Sequence, residues 1–152
     1  MTKIDVANVP KYTGSVYPEQ FNHVVRGRVR QRLGDAGGLT QFGVNLARIP
    51  PGCASSLRHW HEVEDEMVYM LEGEVVLIED EGETVLKPGD AATFKANSGN
   101  GHCLVNRSEK DAVFLEIGTR AAREKATYAD VDLVQERDGD TRRLLHKSGQ
   151  PY

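Results

Sequence analysis

What most constrains this chain is its punctuation. Apolar runs of strand length are cut short again and again by glycine and proline. Phe42, Val44 and Leu46 share one parity, and their run stops at Pro50-Pro51-Gly52. Met67 to Leu71 ends at Glu72-Gly73, Val75 to Ile78 at Glu81-Gly82, and Thr84 to Leu86 at Pro88-Gly89-Asp90. Ala92 to Phe94, His102 to Asn106 and Ala112 to Ile117 follow with the same character. Alternation with period two, broken by turn formers, reads as strands, and many short strands read as a sandwich or barrel. Helical periodicity is weak, and only Ala121 to Ala126 reads as helix-prone. The chain is therefore expected to be all-β, with an N-terminal arm over residues 1–20 and a barrel over 21–120. A polar tail over 121–152 is expected to pack on the barrel or on a partner subunit. Val24 to Arg30 alternates weakly, and Gly34 to Gly38 reads as a loop.

A length of 152 residues suits one domain with a substantial core. The net charge of −4 argues against a nucleic-acid partner, which needs clustered Lys and Arg to neutralise phosphates. The densest basic stretch, Arg26, Arg28, Arg30 and Arg32, is expected to form one solvated face of an extended strand. Two cysteines, Cys53 and Cys103, fit a reducing compartment, with Cys103 as a packing residue. Met1 to Asn8 lacks a basic stretch followed by an apolar run, and no segment approaches a membrane span. A cytoplasmic location is the expectation, with no membrane partner.

The informative segment is Arg58-His59-Trp60-His61-Glu62, with Glu66 downstream. On a strand, His59 and His61 project from one face and Trp60 from the other. Glu66 has the wrong parity for a continuous strand, so Glu62 to Asp65 must contain a bend that resets the alternation. His102 follows after further strand signals and the loop Asn97-Ser98-Gly99-Asn100-Gly101, and in a closed barrel it can lie opposite the pair. Three imidazoles and a carboxylate would leave one or two open positions on a divalent metal, as Lewis-acid chemistry requires. A lone His-x-His also fits two surface histidines. The conjunction with Gly52, Glu66, Gly73, Pro88-Gly89, Gly99, His102 and Asn106 favours the metal.

These spacings resemble the two motifs of the cupin superfamily. The first reads Gly52, six residues, His59-Trp60-His61, four residues, Glu66, six residues, Gly73. The second reads Gly89, seven residues, Asn97 to His102, then Asn106. The first spacer is one residue longer than the common form. The second is two longer, with Asn97 where proline is usual. Ser55 to His61, Asn100 to Ser108 and Gly149-Gln150-Pro151-Tyr152 further resemble a group of small bacterial cupins labelled sugar-phosphate isomerase-like by analogy. The resemblance implies a single jelly-roll (double-stranded β-helix) barrel over roughly residues 40–118. It also implies one metal ion on His59, His61, Glu66 and His102.

This donor set suits manganese, iron, nickel or zinc about equally. Three functions follow as expectations. A non-redox enzyme (isomerase, lyase or decarboxylase) would act on a small sugar phosphate or carboxylated compound. An iron dioxygenase would use the same ligands. A metal-loaded binding protein would hold a small molecule without turnover. A homodimer is expected from the arm, the tail and the exposed edges of a small barrel. His23 and His146 read as ordinary surface or packing histidines, and Tyr69 as core or interface. Arg48, Lys95, Asn97 and Asn100 could reach a substrate at the barrel mouth or be solvated. Glu62, Glu64 and Asp65 read as a solvated turn, or one of them as a support for a ligand histidine.

Overall fold

The computed structural model describes residues 3–152. In chain order its strands are β1 (Lys11–Thr13), β2 (Val29–Arg32), β3 (Phe42–Ile49), β4 (His59–His61), β5 (Glu66–Glu72), β6 (Val75–Glu79) and β7 (Gly82–Leu86). Then come β8 (Ala91–Phe94), β9 (Cys103–Val105), β10 (Ala112–Thr119), β11 (Arg123–Tyr128), β12 (Val134–Asp138) and β13 (Thr141–Leu145). One short helix, α1 (Leu33–Ala36), occupies the segment expected as a loop.

Six strands form one sheet in the order β1-β2-β3-β10-β5-β8. Sheets β13-β12-β11-β4 and β7-β6-β9 complete the fold. The last two are linked where His59 and His102 form an antiparallel bridge, each backbone N–H donating to the other's carbonyl at 3.1 and 2.9 Å. The result is the expected all-β jelly-roll.

Alternation decides what lies inside. On β5, Glu66, Val68 and Met70 face in while Tyr69 and Leu71 are exposed. Ile49, Met70, Val75, Leu104 and Phe114 fill one end of the molecule, between the six-stranded sheet and β6, β7 and β9. Each such burial contributes roughly 1.5–3 kcal/mol. Asn106 is fully buried there, its amide donating to the Ile49 and Lys110 carbonyls at 2.9 and 2.7 Å. The turn after β5 requires Gly73, whose φ is 69°. A Cβ there would stand 2.4 Å from the Asp111 carbonyl oxygen.

The segment expected to be helix-prone is a strand. Along β11, Glu124, Ala126 and Tyr128 are buried and alternate with Arg123, Lys125 and Thr127. Ala126 to Tyr128 pair with His61 to His59. The open edge of β4 supplies a hydrogen-bonding partner that outweighs the helix preference of Ala, Arg, Glu and Lys. The arm is also tied in, with Lys11 to Thr13 paired to Gln31 to Val29.

The arginine run departs from expectation as well. Val24 and Val25 close a 3-10 segment, and β2 begins only at Val29. Arg26 and Arg32 are exposed, but Arg28 is 8% exposed and Arg30 lies inside against Glu116. The inward face of β2 lines a polar cavity, so guanidinium groups can be held there by carbonyls and a carboxylate.

Candidate metal centre

At the other end the two walls enclose a cavity of about 970 Å³. Its wall carries Arg28, Arg30, Arg32, Arg120, Arg137 and Arg142 against five acids, Glu66 among them. His59, His61 and His102 stand where the cavity meets the apolar core.

The bend expected between the histidine pair and Glu66 is present: residues 62–65 leave the strand and β5 restarts at Glu66. This bend is not merely solvated. Asp65 accepts the Ala96 N–H at 2.8 Å and donates its own N–H to Thr119 Oγ1 at 2.9 Å. Glu64 accepts the Ala121 N–H at 2.7 Å and pairs with Arg137.

The four expected ligands converge. His59 Nε2 and His61 Nε2 are 3.1 Å apart. Glu66 Oε2 lies 3.3 Å from His61 Nε2, 3.1 Å from His102 Nε2 and 3.9 Å from His59 Nε2. His59, His61 and Glu66 form a mutually close set within 4.8 Å, and His102 joins it through the carboxylate. Adjacent donors about 2.0–2.2 Å from a shared cation stand roughly 3–3.5 Å apart, so the spacings among His59, His61 and Glu66 suit one ion, and His102 reaches that set through Glu66 Oε2.

The protonation pattern agrees. His59 Nδ1 lies 2.9 Å from the Leu57 carbonyl, which can only accept. Hydrogen-bond geometry therefore assigns the proton to Nδ1 and leaves Nε2 bare. His61 Nδ1 has no hydrogen-bond partner and lies 3.5 Å from Glu124 Oε1. His102 is oriented by Phe94, whose ring stacks on it at 3.6 Å. A cation would take the place of the protons now shared between the imidazoles and the Glu66 carboxylate, and three imidazoles with one carboxylate can hold manganese, iron, nickel or zinc.

Burial holds the His59 pKa at about 3, against the pull of Glu66, so this imidazole is neutral near pH 7. Burial also presses on His61, but the hydrogen bond and charge of Glu66, with Glu124 and Glu64, outweigh it and raise its pKa. Burial would raise Glu66, yet its bonds to His102 and His61 hold it well below the usual carboxylate range. Cys103, beside His102 in sequence, faces away and is buried, which pushes its thiol up to about 11. It is a packing residue, as expected.

Residues 45–118 match the family described as the cupin domain. A sugar phosphate isomerase of the cupin superfamily from Silicibacter pomeroyi is 46% identical. The match covers 99% of this chain and 96% of that one, with a TM-score of 0.97.

The chain belongs to the cupin superfamily.

A protein from Acidithiobacillus ferrooxidans, provisionally named a sugar phosphate isomerase, is 30% identical over 82% of this chain and 80% of its own, with a TM-score of 0.75. A polyketide cyclase from Streptomyces resistomycificus shares the fold at 20% identity and a TM-score of 0.63, over 78% of this chain and 79% of its own. No curated protein matches.

Among cupins the second motif usually carries proline where this chain has Asn97. Here Asn97 adopts φ 57° and donates its N–H to the His61 carbonyl at 2.7 Å. Proline can do neither, since its φ is fixed near −65° and it has no N–H. The longer loop thus takes a path that asparagine permits, and it clamps the histidine strand.

Of the other residues that could reach a substrate or be solvated, Lys95 lines a smaller pocket beside Glu66 and Phe94. Arg48 pairs with Asp111 on the outer face. Asn100 bonds Glu79 and the Asp80 N–H. His23 caps Gln20, and His146 binds Asp132 and stacks on Tyr152, both ordinary roles. Glu124 beside His61, and Tyr17, Tyr128, Arg28 and Arg30 on the cavity wall, carry no motif in the sequence. The shared parity of Glu124, Ala126 and Tyr128 was the available signal for two of them. No helix among the described residues is long and apolar enough to cross a membrane.

Proposed function

We propose that this cupin is a metal-dependent, non-redox enzyme, an isomerase, lyase or decarboxylase acting on a small sugar phosphate or carboxylated compound. In this reading His59, His61, Glu66 and His102 hold one divalent ion. The observation that carries it is the convergence of four donors at the inner end of an arginine-rich cavity. The names of the Silicibacter and Acidithiobacillus relatives agree with it.

A bound divalent ion supplies Lewis acidity toward a carbonyl or enolate oxygen. The chain's residues do the remaining work. His59 presents a fixed bare nitrogen because Leu57 holds its proton. Glu66 contributes a charged oxygen at neutral pH. The arginines draw an anionic substrate in and balance its charge. Arg30 binds Glu116 at 2.6 and 2.7 Å, so this pair stays rigid on the wall. The enclosing sheets limit water at the reacting carbon.

Metal analysis of the purified protein, followed by turnover of sugar phosphates and small acids with and without oxygen, tests the proposal. Turnover without oxygen supports it. Iron with substrate-dependent oxygen uptake would replace it with a dioxygenase. Metal with tight small-molecule retention and no turnover would replace it with a binding protein. The reading includes a homodimer, with the exposed Tyr69 and Leu71 on the outer sheet face as its apolar surface. A monomeric mass by light scattering would reject that part.

A further inference from the structure

Beside the histidines, the cavity wall holds two tyrosines that the metal does not need. Tyr128, 3% exposed, lies edge to face with Tyr17 at 5.4 Å, and its ring is 5.6 Å from that of His59. Tyr17 arrives from the N-terminal arm, and its hydroxyl oxygen accepts the Leu57 N–H at 3.4 Å. Both tyrosines line the cavity, where a phenol O–H can donate to an oxyanion.

The charges around this pair are cationic. Arg28, Arg30 and Arg142 line the same cavity as Tyr17 and Tyr128. Arg30 is balanced by Glu116. Arg28 is nine-tenths buried and, among the described residues, bonds the carbonyls of Ser55 and Gly14 and no carboxylate. Arg142, on the β12–β13 hairpin, faces Arg137 across the register. Arg137 and Arg143 have carboxylate partners, but among the described residues Arg142 has none. A buried guanidinium satisfied by dipoles alone is costly, and an entering anion removes that cost.

We propose that Arg28 and Arg142, with the hydroxyls of Tyr17 and Tyr128, form an oxyanion subsite beside the metal centre that takes the phosphate or carboxylate end of the substrate. The inference rests on the function proposed above. It goes further in assigning the residues that select an anionic substrate, and in giving the arm and the C-terminal hairpin one wall each. Guanidinium forks match oxyanion geometry, and charge-assisted bonds of this kind are the strong ones. The Tyr128 ring lies 5.6 Å from that of His59, so the subsite adjoins the histidine cluster.

The test is calorimetric titration of the metal-loaded protein with inorganic phosphate and, separately, with acetate, at constant ionic strength. Wild type should bind at least one of them, and the tighter one identifies the oxyanion. Arg142→Gln should weaken it about tenfold, Arg28→Met by at least as much, and Tyr128→Phe several-fold. Arg142 is on an exposed hairpin, so its variant keeps the test decisive even if Arg28→Met fails to fold. No binding by wild type, or unchanged affinity in both Arg142→Gln and Tyr128→Phe, would overturn the subsite. Phosphate binding that vanishes in metal-depleted His61→Ala while ignoring the arginines would also overturn it, leaving the metal assignment intact. Full metal retention by His61→Ala would instead remove the functional reading, with the arginine variants still deciding the subsite.

Discussion

Glu124 is the sharpest place to perturb the centre without touching a ligand. Its Oε1 stands 3.5 Å from His61 Nδ1, longer than a hydrogen bond but within reach of a small ring rotation. The same carboxylate accepts the N–H of Glu62 at 2.9 Å and of Val63 at 3.1 Å, so it also holds the bend before Glu66. Glu124→Gln removes the charge and one of two acceptor oxygens. Either His61 or the bend then faces an NH2 group. Outer partners of ligating histidines are worth about 10–100-fold in metal affinity. That is roughly 1.4–2.7 kcal/mol. The metal-free variant should lose no more than about 1 kcal/mol, because Glu62 keeps its second bond to the Lys125 carbonyl at 3.0 Å. Glu124→Ala should lose similar affinity and also lower the metal-free melting temperature by about 2–4 °C per kcal/mol lost. Competition with a chromogenic chelator measures the affinity, and a thermal melt of stripped protein measures the stability. Glu124→Gln binding metal within twofold of wild type would refute the reasoning.

His61→Ala should lose most bound metal while its far-ultraviolet circular dichroism stays that of the wild type; elemental analysis of the folded variant decides. Gly73→Ala combines a positive φ with a backbone clash and should cost more than about 2 kcal/mol, read by urea denaturation. Asn97→Pro should weaken metal binding and stability together, whereas Asn97→Gly should leave metal content near wild type, since glycine tolerates the conformation and keeps the N–H. The raised His61 pKa gives opposite pH signs. Its interactions stabilise the metal-free fold fully below the ordinary value of 6.5, and this contribution is lost as pH rises through the folded value. Metal must displace that proton, so affinity falls on acidification, with up to one proton released by His61 and none by His59 near neutrality. Calorimetry in two buffers of different ionisation heat counts the protons; no release at pH 6 would contradict it.

The strands and the four converging donors were legible in the sequence because their signals are local. Parity places His59 with His61, glycine and proline end the strands, and the mismatch at Glu66 announces a bend. What escaped depends on partners distant in sequence. Arg123 to Tyr128 contains good helix formers and becomes a strand only because β4 offers an edge. Arg28 and Arg30 look solvated until Ser55 and Glu116 are brought over them. Glu124 carries no motif, and its importance arises only when β11 lies beside His61.

The bridge between His59 and His102 has a consequence for metal exchange. Two ligand-bearing segments more than forty positions apart are stitched by their own main chains, independently of any ion. Emptying the site need not loosen it, so little ordering entropy is lost on refilling. Such a protein can surrender its ion to a competing one and recover without unfolding. In the metal-dependent reading, the identity of the ion would then be set by supply as much as by the cage.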